Sequence, residues 1–401
     1  MPPDQAAMVA AERAFVRFAA EKGFRDSFYR YFAADGIAFG PHPFRTRLTL
    51  ERQPSSPGPM GAVWAPVYGD VSAAGDLGWN TGPLVFEANA AQNRPERHGM
   101  FFSVWQKQAD GSWLVVLDLG SDTPGPVVAL DAPYQSSWRP HDRKQGAAKA
   151  AGAAELLTVE RGLLADMGRG IGRAYFERLA DDGRVHRPGL MPVVGQEALA
   201  AWMAGETRTL TGEALFAWVA RSGDLGYAYG SYLTGGENPE AGYYARVWKR
   251  SPAGAWRIVM DTVSPLPAGA KPLPSALLAA EELFVAQDWA GAAAAYQAYV
   301  RDQPGNGFAW HRLGSSQVNL RLLPEAIANL KQAIAVGGGI AADYYNLACA
   351  YALSGEAELA LDHVARAIEA GLVSRRQYES DGDLASLREL PRFRELMQGL
   401  R

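Results

Sequence analysis

Two runs of aromatic and β-branched residues, Phe101-Phe102-Ser103-Val104-Trp105 and Trp113-Leu114-Val115-Val116-Leu117, flank Asp110-Gly111. Such residues suit a pleated, half-buried surface, and glycine supplies the positive φ of a tight turn, so the pattern predicts a β-hairpin. Upstream, Leu77, Trp79 and Thr81 share one face by period-two alternation, which predicts a strand entered from the Gly75-Asp76-Leu77-Gly78 turn. The N-terminus follows a different spacing. From Ala6 to Phe32 the apolar residues recur at helical intervals, with Phe15, Phe18, Phe28 and Phe32 prominent and Gly23 a break between two helices. An irregular stretch from Asp35 to Gly61 carries His42, Arg45 and Arg47, and strands are expected from about Val63 to Leu119. Helices followed by an antiparallel sheet make an α+β arrangement.

Most of this pattern is written twice. Trp105 is answered by Trp248, Gly111 by Gly254, Trp113 by Trp256 and Asp118 by Asp261, each 143 positions on (248 − 105 = 143). Gly75-Asp76-Leu77-Gly78-Trp79 is answered by Gly223-Asp224-Leu225-Gly226-Tyr227, 148 positions on (223 − 75 = 148), so the difference falls in the loop between the motifs. The second copy opens with a helical stretch from Leu156 to Leu179, repeats Asp35-Gly36 as Asp182-Gly183, and carries a short helix at Gly195-Gln196-Glu197-Ala198-Leu199. Its strands are expected from about Ala214 to Val263. Self-similarity on this scale means one domain used twice.

Helices followed by GDLGW, a long strand ending in VW, DGSW and a terminal strand ending in Asp118 resemble the SnoaL-like and calcium/calmodulin-kinase association branch of the nuclear-transport-factor superfamily. The resemblance covers nearly all of residues 1 to 125 and again 153 to 267. It implies two cone-shaped domains, each a curved antiparallel sheet wrapped on helices around an internal pocket. It implies little about chemistry, because the family hosts isomerases, cyclases, dehydratases and many non-catalytic domains.

After Pro265 the pattern becomes purely helical with a period of 34: Ala292, Ala326 and Ala360 recur (326 − 292 = 34), as do Trp310 and Tyr344, Leu313 and Leu347, Gly314 and Ala348, and Tyr296, Leu330 and Val364. Large and small residues at these places let paired antiparallel helices interlock and stack. From about Pro274 to Gly371 the chain resembles a tetratricopeptide (TPR) array of three repeats. The closing segment resembles the terminal helix after bacterial arrays of this kind, with Leu387, Phe393 and Leu396 turned inward. The expected organisation is therefore a first cone over 1–128, a linker over 129–152, a second cone over 153–268 and an all-α TPR solenoid with a capping helix over 269–401.

Composition narrows the function. With 401 residues, 48% hydrophobic content and a net charge of −4, the chain reads as a soluble globular protein of several domains, with no basic stripe for nucleic acid and no apolar run able to span a membrane. The N-terminus lacks the order of a secretion signal, which fits a cytoplasmic protein and equally a periplasmic or exported one whose leader has been removed. The single cysteine, Cys349, rules out an internal disulfide and reads as a packing residue. His42, His98, His141, His186, His311 and His363 show no ligand pairing, so neither a metal nor a cofactor is expected. No GxSxG or GKS/T string occurs.

What remains is acid–base chemistry inside a cone. Asp118 and Asp261 are the candidate catalytic residues, since a carboxylate in an apolar pocket has its pKa raised and can shuttle a proton. Their place at strand ends also fits a turn cap or an arginine partner. Trp79, Phe101, Ser103 and Trp105 in the first copy, and Tyr227, Tyr229, Tyr244, Arg246 and Trp248 in the second, form the candidate ligand pockets, with core packing as their competing role. Arg246, standing where the first copy has Ser103, is placed either to hold an anionic ligand or to pair with Asp261. On the array, Arg312, Asn319 and Asn346 are the candidate contacts for a protein or peptide partner.

The expected function is a non-catalytic binding or scaffold protein, with the array recruiting a partner and the cones pairing with each other or taking a small hydrophobic ligand. The competing reading is a SnoaL-like enzyme acting on such a ligand. Tandem copies can cover each other's open sheet face, which predicts a monomer with the two cones paired internally.

Overall fold

The computed structural model describes residues 1–51, 53, 55, 58–89, 94–137 and 152–400. Most of the expected linker, together with His141, lies outside them. Chain contacts divide the protein into two compact units, Met1–Pro272 and Leu273–Arg401. Among the described residues no helix is long and apolar enough to cross a membrane.

The first unit holds two sheets. In its first half the strands are β1 (Phe32–Phe39), β2 (Pro43–Arg45), β3 (Ala62–Trp64), β4 (Tyr68–Val71), β5 (Leu77–Phe86), β6 (Arg97–Lys107), β7 (Trp113–Thr123) and β8 (Gln135–Ser136). They assemble in the order β2-β1-β7-β6-β5-β4-β8, with β3 also on β5. In its second half the strands are β9 (Leu179–His186), β10 (Val193–Val194), β11 (Leu210–Val219), β12 (Leu225–Thr234), β13 (Ala241–Arg250) and β14 (Trp256–Pro265), in the order β10-β9-β14-β13-β12-β11. The series β1-β7-β6-β5 is matched by β9-β14-β13-β12. Each final hairpin turns on a glycine of positive φ, Gly111 at 86° and Gly254 at 85°. Each also carries a register shift at the same place, between Val104 and Trp105 and between Val247 and Trp248.

The sheets are mixed, which corrects the all-antiparallel expectation. β1 runs parallel to β7, and β9 parallel to β14. Neither strand is evident in the sequence, because Asp35-Gly36 and Asp182-Gly183 look like turns. Both dipeptides instead sit in an irregular stretch within a strand, where the backbone passes so close to its neighbour that a Cβ on Gly36 would lie 2.6 Å from the Val115 carbonyl oxygen and one on Gly183 would lie 2.8 Å from that of Ile258.

Each sheet has two buried faces. The inner face packs on its own helices: Pro3–Tyr31, which breaks at Gly23 (φ 78°), in the first half, and Ala153–Met167, Ile171–Arg178 and Gly195–Trp202 in the second. The outer faces of the two sheets pack on each other, with Leu77, Trp79, Phe102, Val104 and Leu117 against Leu225, Tyr227, Ala245, Val247 and Met260. The rim of this contact is reciprocal. The Ala73 amide donates to Asp224 Oδ2 at 2.9 Å, and the Arg221 amide, 148 residues on from Ala73, donates to Asp76 Oδ2 at 3.1 Å. Lys249 reaches Asp70 at 2.7 Å, and the Tyr68 hydroxyl donates to Asp182 at 2.9 Å. A contact in which i meets j and the equivalent of j meets the equivalent of i is isologous, the signature of a twofold arrangement.

The second unit is helical. Ser275–Val285 pairs with Trp289–Asp302, Gly307–Asn319 with Leu323–Gly337, and Ala341–Leu353 with Ala357–Glu369; Arg375–Ser380, a 3₁₀ turn at Gly382–Leu387 and Pro391–Gln398 follow. Ala292, Ala326 and Ala360 are fully buried, as are Tyr296, Leu330 and Val364. Gly314 faces Leu330 so closely that a Cβ there would lie 2.5 Å from Leu330 Cγ, which is why the helices can cross at that point. Leu387 and Phe393 are buried at the end of the stack, and Leu396 packs beside them partly buried.

Candidate functional site

The interior of each half is organised around a buried glutamate. The stripe Met8, Glu12, Phe15, Ala19 on the first helix points at the sheet, and so does Leu156, Glu160, Leu163, Met167 on its counterpart. Glu12 and Glu160 are 148 positions apart and both fully buried. Carrying an ionised carboxylate out of water costs several kcal/mol unless partners replace the lost hydration. The two halves meet this cost differently.

In the first half the partners of Glu12 are neutral. Trp64 Nε1 donates to it at 2.8 Å, Trp105 Nε1 at 2.7 Å, Ser103 Oγ at 2.5 Å and Asn80 Nδ2 at 3.3 Å. Burial nonetheless pushes the Glu12 acid above its ordinary range, against the pull of these four bonds. Asp118 pairs across the strands with Ser103, on the same inner face. It is partly exposed, and its side chain takes no hydrogen bond or ion pair among the described residues. Burial, and then the charge of Glu12, push its acid well above the usual carboxylate range.

In the second half the position of Ser103 is held by Arg246, fully buried. Its Nη1 donates to Glu160 at 2.8 Å and its Nε to Asp261, while Trp248 Nε1 donates to Glu160 at 2.5 Å. The guanidinium lies 3.9 Å from the centroid of the Tyr244 ring. A second guanidinium, from Arg187, reaches the other oxygen of Asp261 at 2.6 Å and also bonds the Tyr175 hydroxyl. Burial alone would raise Asp261, but Arg187 and Arg246 overcome it and hold the acid below its ordinary value. His186 is buried nearby with both ring nitrogens unpartnered among the described residues; burial, then Arg184 and Arg187, push it down to about 3.

The structure divides the predicted pocket residues. Phe101, Ser103, Trp105, Tyr244, Arg246 and Trp248 share the inner faces with the two glutamates, whereas Trp79, Tyr227 and Tyr229 lie in the layer between the sheets. Those three pack between the paired outer faces, away from the two glutamates. Neither glutamate is among the predicted residues, although a charged residue interrupting an apolar helical stripe twice, 148 positions apart, is a readable signal. A surface cleft of about 810 Å³ ringed by Glu177, Asp182, Lys249 and Arg257 contains none of the predicted residues.

On the second unit, Arg312 grips Glu281 through Nε at 2.7 Å and Nη2 at 3.0 Å, between the rings of Phe284 and Phe308. Asn346 donates to Ser315 Oγ at 2.6 Å and Asn319 to the Ser315 carbonyl at 2.9 Å. Arg312 and Asn346 thus staple one repeat to the next, whereas Asn319 bonds back within its own helix. Phe308 beside them is exposed. Cys349, Asp381 and Asp383 cluster further along, with Asp381 bonded by Tyr345 and Asp383 by Arg321.

No family model matches this chain, and no curated protein does. Among solved structures it is similar to a ketosteroid isomerase-like protein from Erwinia carotovora atroseptica, at 19% identity over 27% of this chain and 92% of that one, with a TM-score of 0.25. It is also similar to the TPR2B-domain:pHsp70 complex of yeast Sti1, at 21% identity over 31% of this chain and 94% of that one, with a TM-score of 0.24. A third is the MamA protein, at 27% identity over 25% of this chain and 54% of that one, with a TM-score of 0.23. Ketosteroid isomerase-like and tetratricopeptide proteins are thus both among its partial structural neighbours.

Proposed function

We propose that the chain is a binding and scaffold protein built from two tandem cone domains, paired within one polypeptide as a monomer, and a tetratricopeptide array that takes a protein segment. The observation that carries this reading is the array face at Phe308: an exposed ring beside the Arg312–Glu281 clamp, on a stack of three helical pairs. Aromatic and arginine side chains at such places anchor peptides. Panning a random-peptide library on the full chain and on Phe308→Asp tests it. Enrichment of a peptide class that Phe308→Asp loses is expected, and an unchanged peptide set would sink the reading.

Acid–base catalysis in the first half is the second reading. It is favoured by one observation, that Asp118 is unpaired and raised while Asp261 is held ionised by two guanidiniums. A proton-shuttling carboxyl needs the first environment and cannot work in the second. Turnover of ring ketone substrates that Asp118→Asn abolishes would support it.

A further inference from the structure

The two halves build their interiors from the same parts with one exchange. A carboxylate comes from the helix (Glu12, Glu160), another from the last strand (Asp118, Asp261), an indole N–H from the hairpin (Trp105, Trp248) and an aromatic ring from two residues before the exchanged position (Phe101, Tyr244). In the second half a guanidinium sits among them, bonded to both carboxylates and stacked on the ring. In the first half that side chain is Ser103, which ends at its hydroxyl on Glu12.

Two other exchanges say which of the two carboxylates is left without a donor. Trp64 and Asn80, which donate to Glu12, stand where the second half has Gly212 and Ala228, as the matching strand pairs Trp64 with Leu84 and Gly212 with Tyr232 make plain. Glu12 is therefore supplied with neutral donors from within. Asp118 is not: it is partly exposed, and no cation meets it among the described residues, whereas Asp261 is met by two.

We propose that the first half binds a small organic cation of the amidinium or guanidinium class, seated on Asp118 and stacked on Phe101, in the place that Arg246 fills in the second half. A planar fork of N–H donors matches a carboxylate in two parallel bonds, and a delocalised cation is favoured over an aromatic face. The second half is thus a copy of the receptor with its ligand supplied by its own chain. This inference goes beyond the scaffold reading, which places binding on the array, and it stands or falls without it.

Titration calorimetry on the full chain with benzamidine, and with its neutral isostere benzamide, tests it. The wild type is expected to bind benzamidine saturably and benzamide not at all. Asp118→Asn, an isosteric change at a partly exposed position, is expected to weaken benzamidine at least about tenfold, the scale of one charge-assisted contact. Ser103→Arg, which supplies the cation covalently, is expected to abolish binding; should that variant fail to fold, Asp118→Asn decides alone. Absence of benzamidine binding by the wild type, or equal binding by Asp118→Asn, overturns the proposal. Binding of benzamide that Asp118→Asn weakens as much as benzamidine would overturn the cation assignment; the array reading is tested apart from it, by the Phe308→Asp panning.

Discussion

The two halves of the first unit set the same problem and solve it in different ways. Both bury a glutamate on the helix stripe and place an aspartate on the facing strand. The second half introduces two arginines, which hold Asp261 ionised within a chain of ion pairs running from Glu160 through Arg246 and Asp261 to Arg187. The first half uses indole, amide and hydroxyl donors, and its acids are pushed toward the neutral form. A buried ion pair is rigid but cannot lose one member cheaply, whereas a hydrogen-bonded acid tolerates neutralisation and stays available to something from outside.

The sharpest way to break this comparison is to remove the central cation. Arg246→Met would leave Glu160 and Asp261 buried without it and should cost about 3–5 kcal/mol in urea denaturation. Ser103→Ala, at the matching position, removes the bond to Glu12 and the one accepted from the Trp105 indole, and should cost about 1–2 kcal/mol. Equal losses would mean that the arginine is incidental. The glutamates should respond in the same sense: Glu160→Gln loses about 3–5 kcal/mol by taking one of its two carboxylates from the buried Arg246, while Glu12→Gln loses about 1–3 kcal/mol, because it turns an accepting oxygen toward neutral donors but strands no charge.

Acid titration sharpens the contrast further. Carboxyl resonances followed by NMR should place the Asp118 midpoint above, and the Asp261 midpoint below, the ordinary 3.8. The stability consequences have opposite signs. Glu12 and Asp118 keep protons that the unfolded chain has released, so their contribution is present at low pH and is lost as pH rises through their folded values. Asp261 contributes above its ordinary value and loses that contribution as pH falls through its lowered one. His186, held neutral down to about 3 against an ordinary 6.5, adds to the acid side: the unfolded chain takes up its proton first, so stability falls as pH drops from 6.5 toward 3. The smallest effect is expected at the rim, where Asp76→Asn and Asp224→Asn should each cost about 1 kcal/mol by thermal melting. A loss confined to one of them would show that the rim contact is not reciprocal in energy.

Much of this was legible in the residues. The hairpins, the pairing of Trp105 with Trp248 and the 34-residue period all lie in local pattern, because turns and helix crossings demand particular residues at particular places. The parallel strands were not legible, since a glycine needed for close backbone approach carries the same letter as a glycine needed for a turn. The division of the aromatics was also hidden. Alternation gives each strand two faces, and only the presence of a second sheet decides that Trp79 and Tyr227 bury against each other's sheets while Phe101 and Tyr244 bury against helices. Glu12 and Glu160 were visible as interruptions of an apolar stripe, yet their meaning depends on side chains some 90 positions away, such as Ser103 and Arg246.

The reciprocal rim contact carries one more consequence. Where two identical chains meet across a twofold axis, every codon acts twice, and a change that suits one side is imposed on the other. Here the partners across the axis are written at separate places in one gene, so Arg221 adds a side-chain bond to Asp76 at 2.9 Å that Ala73 has no atoms to return. The same freedom lets one interior keep a serine while the other commits to an arginine, and symmetry survives as a scaffold within which the two sides specialise.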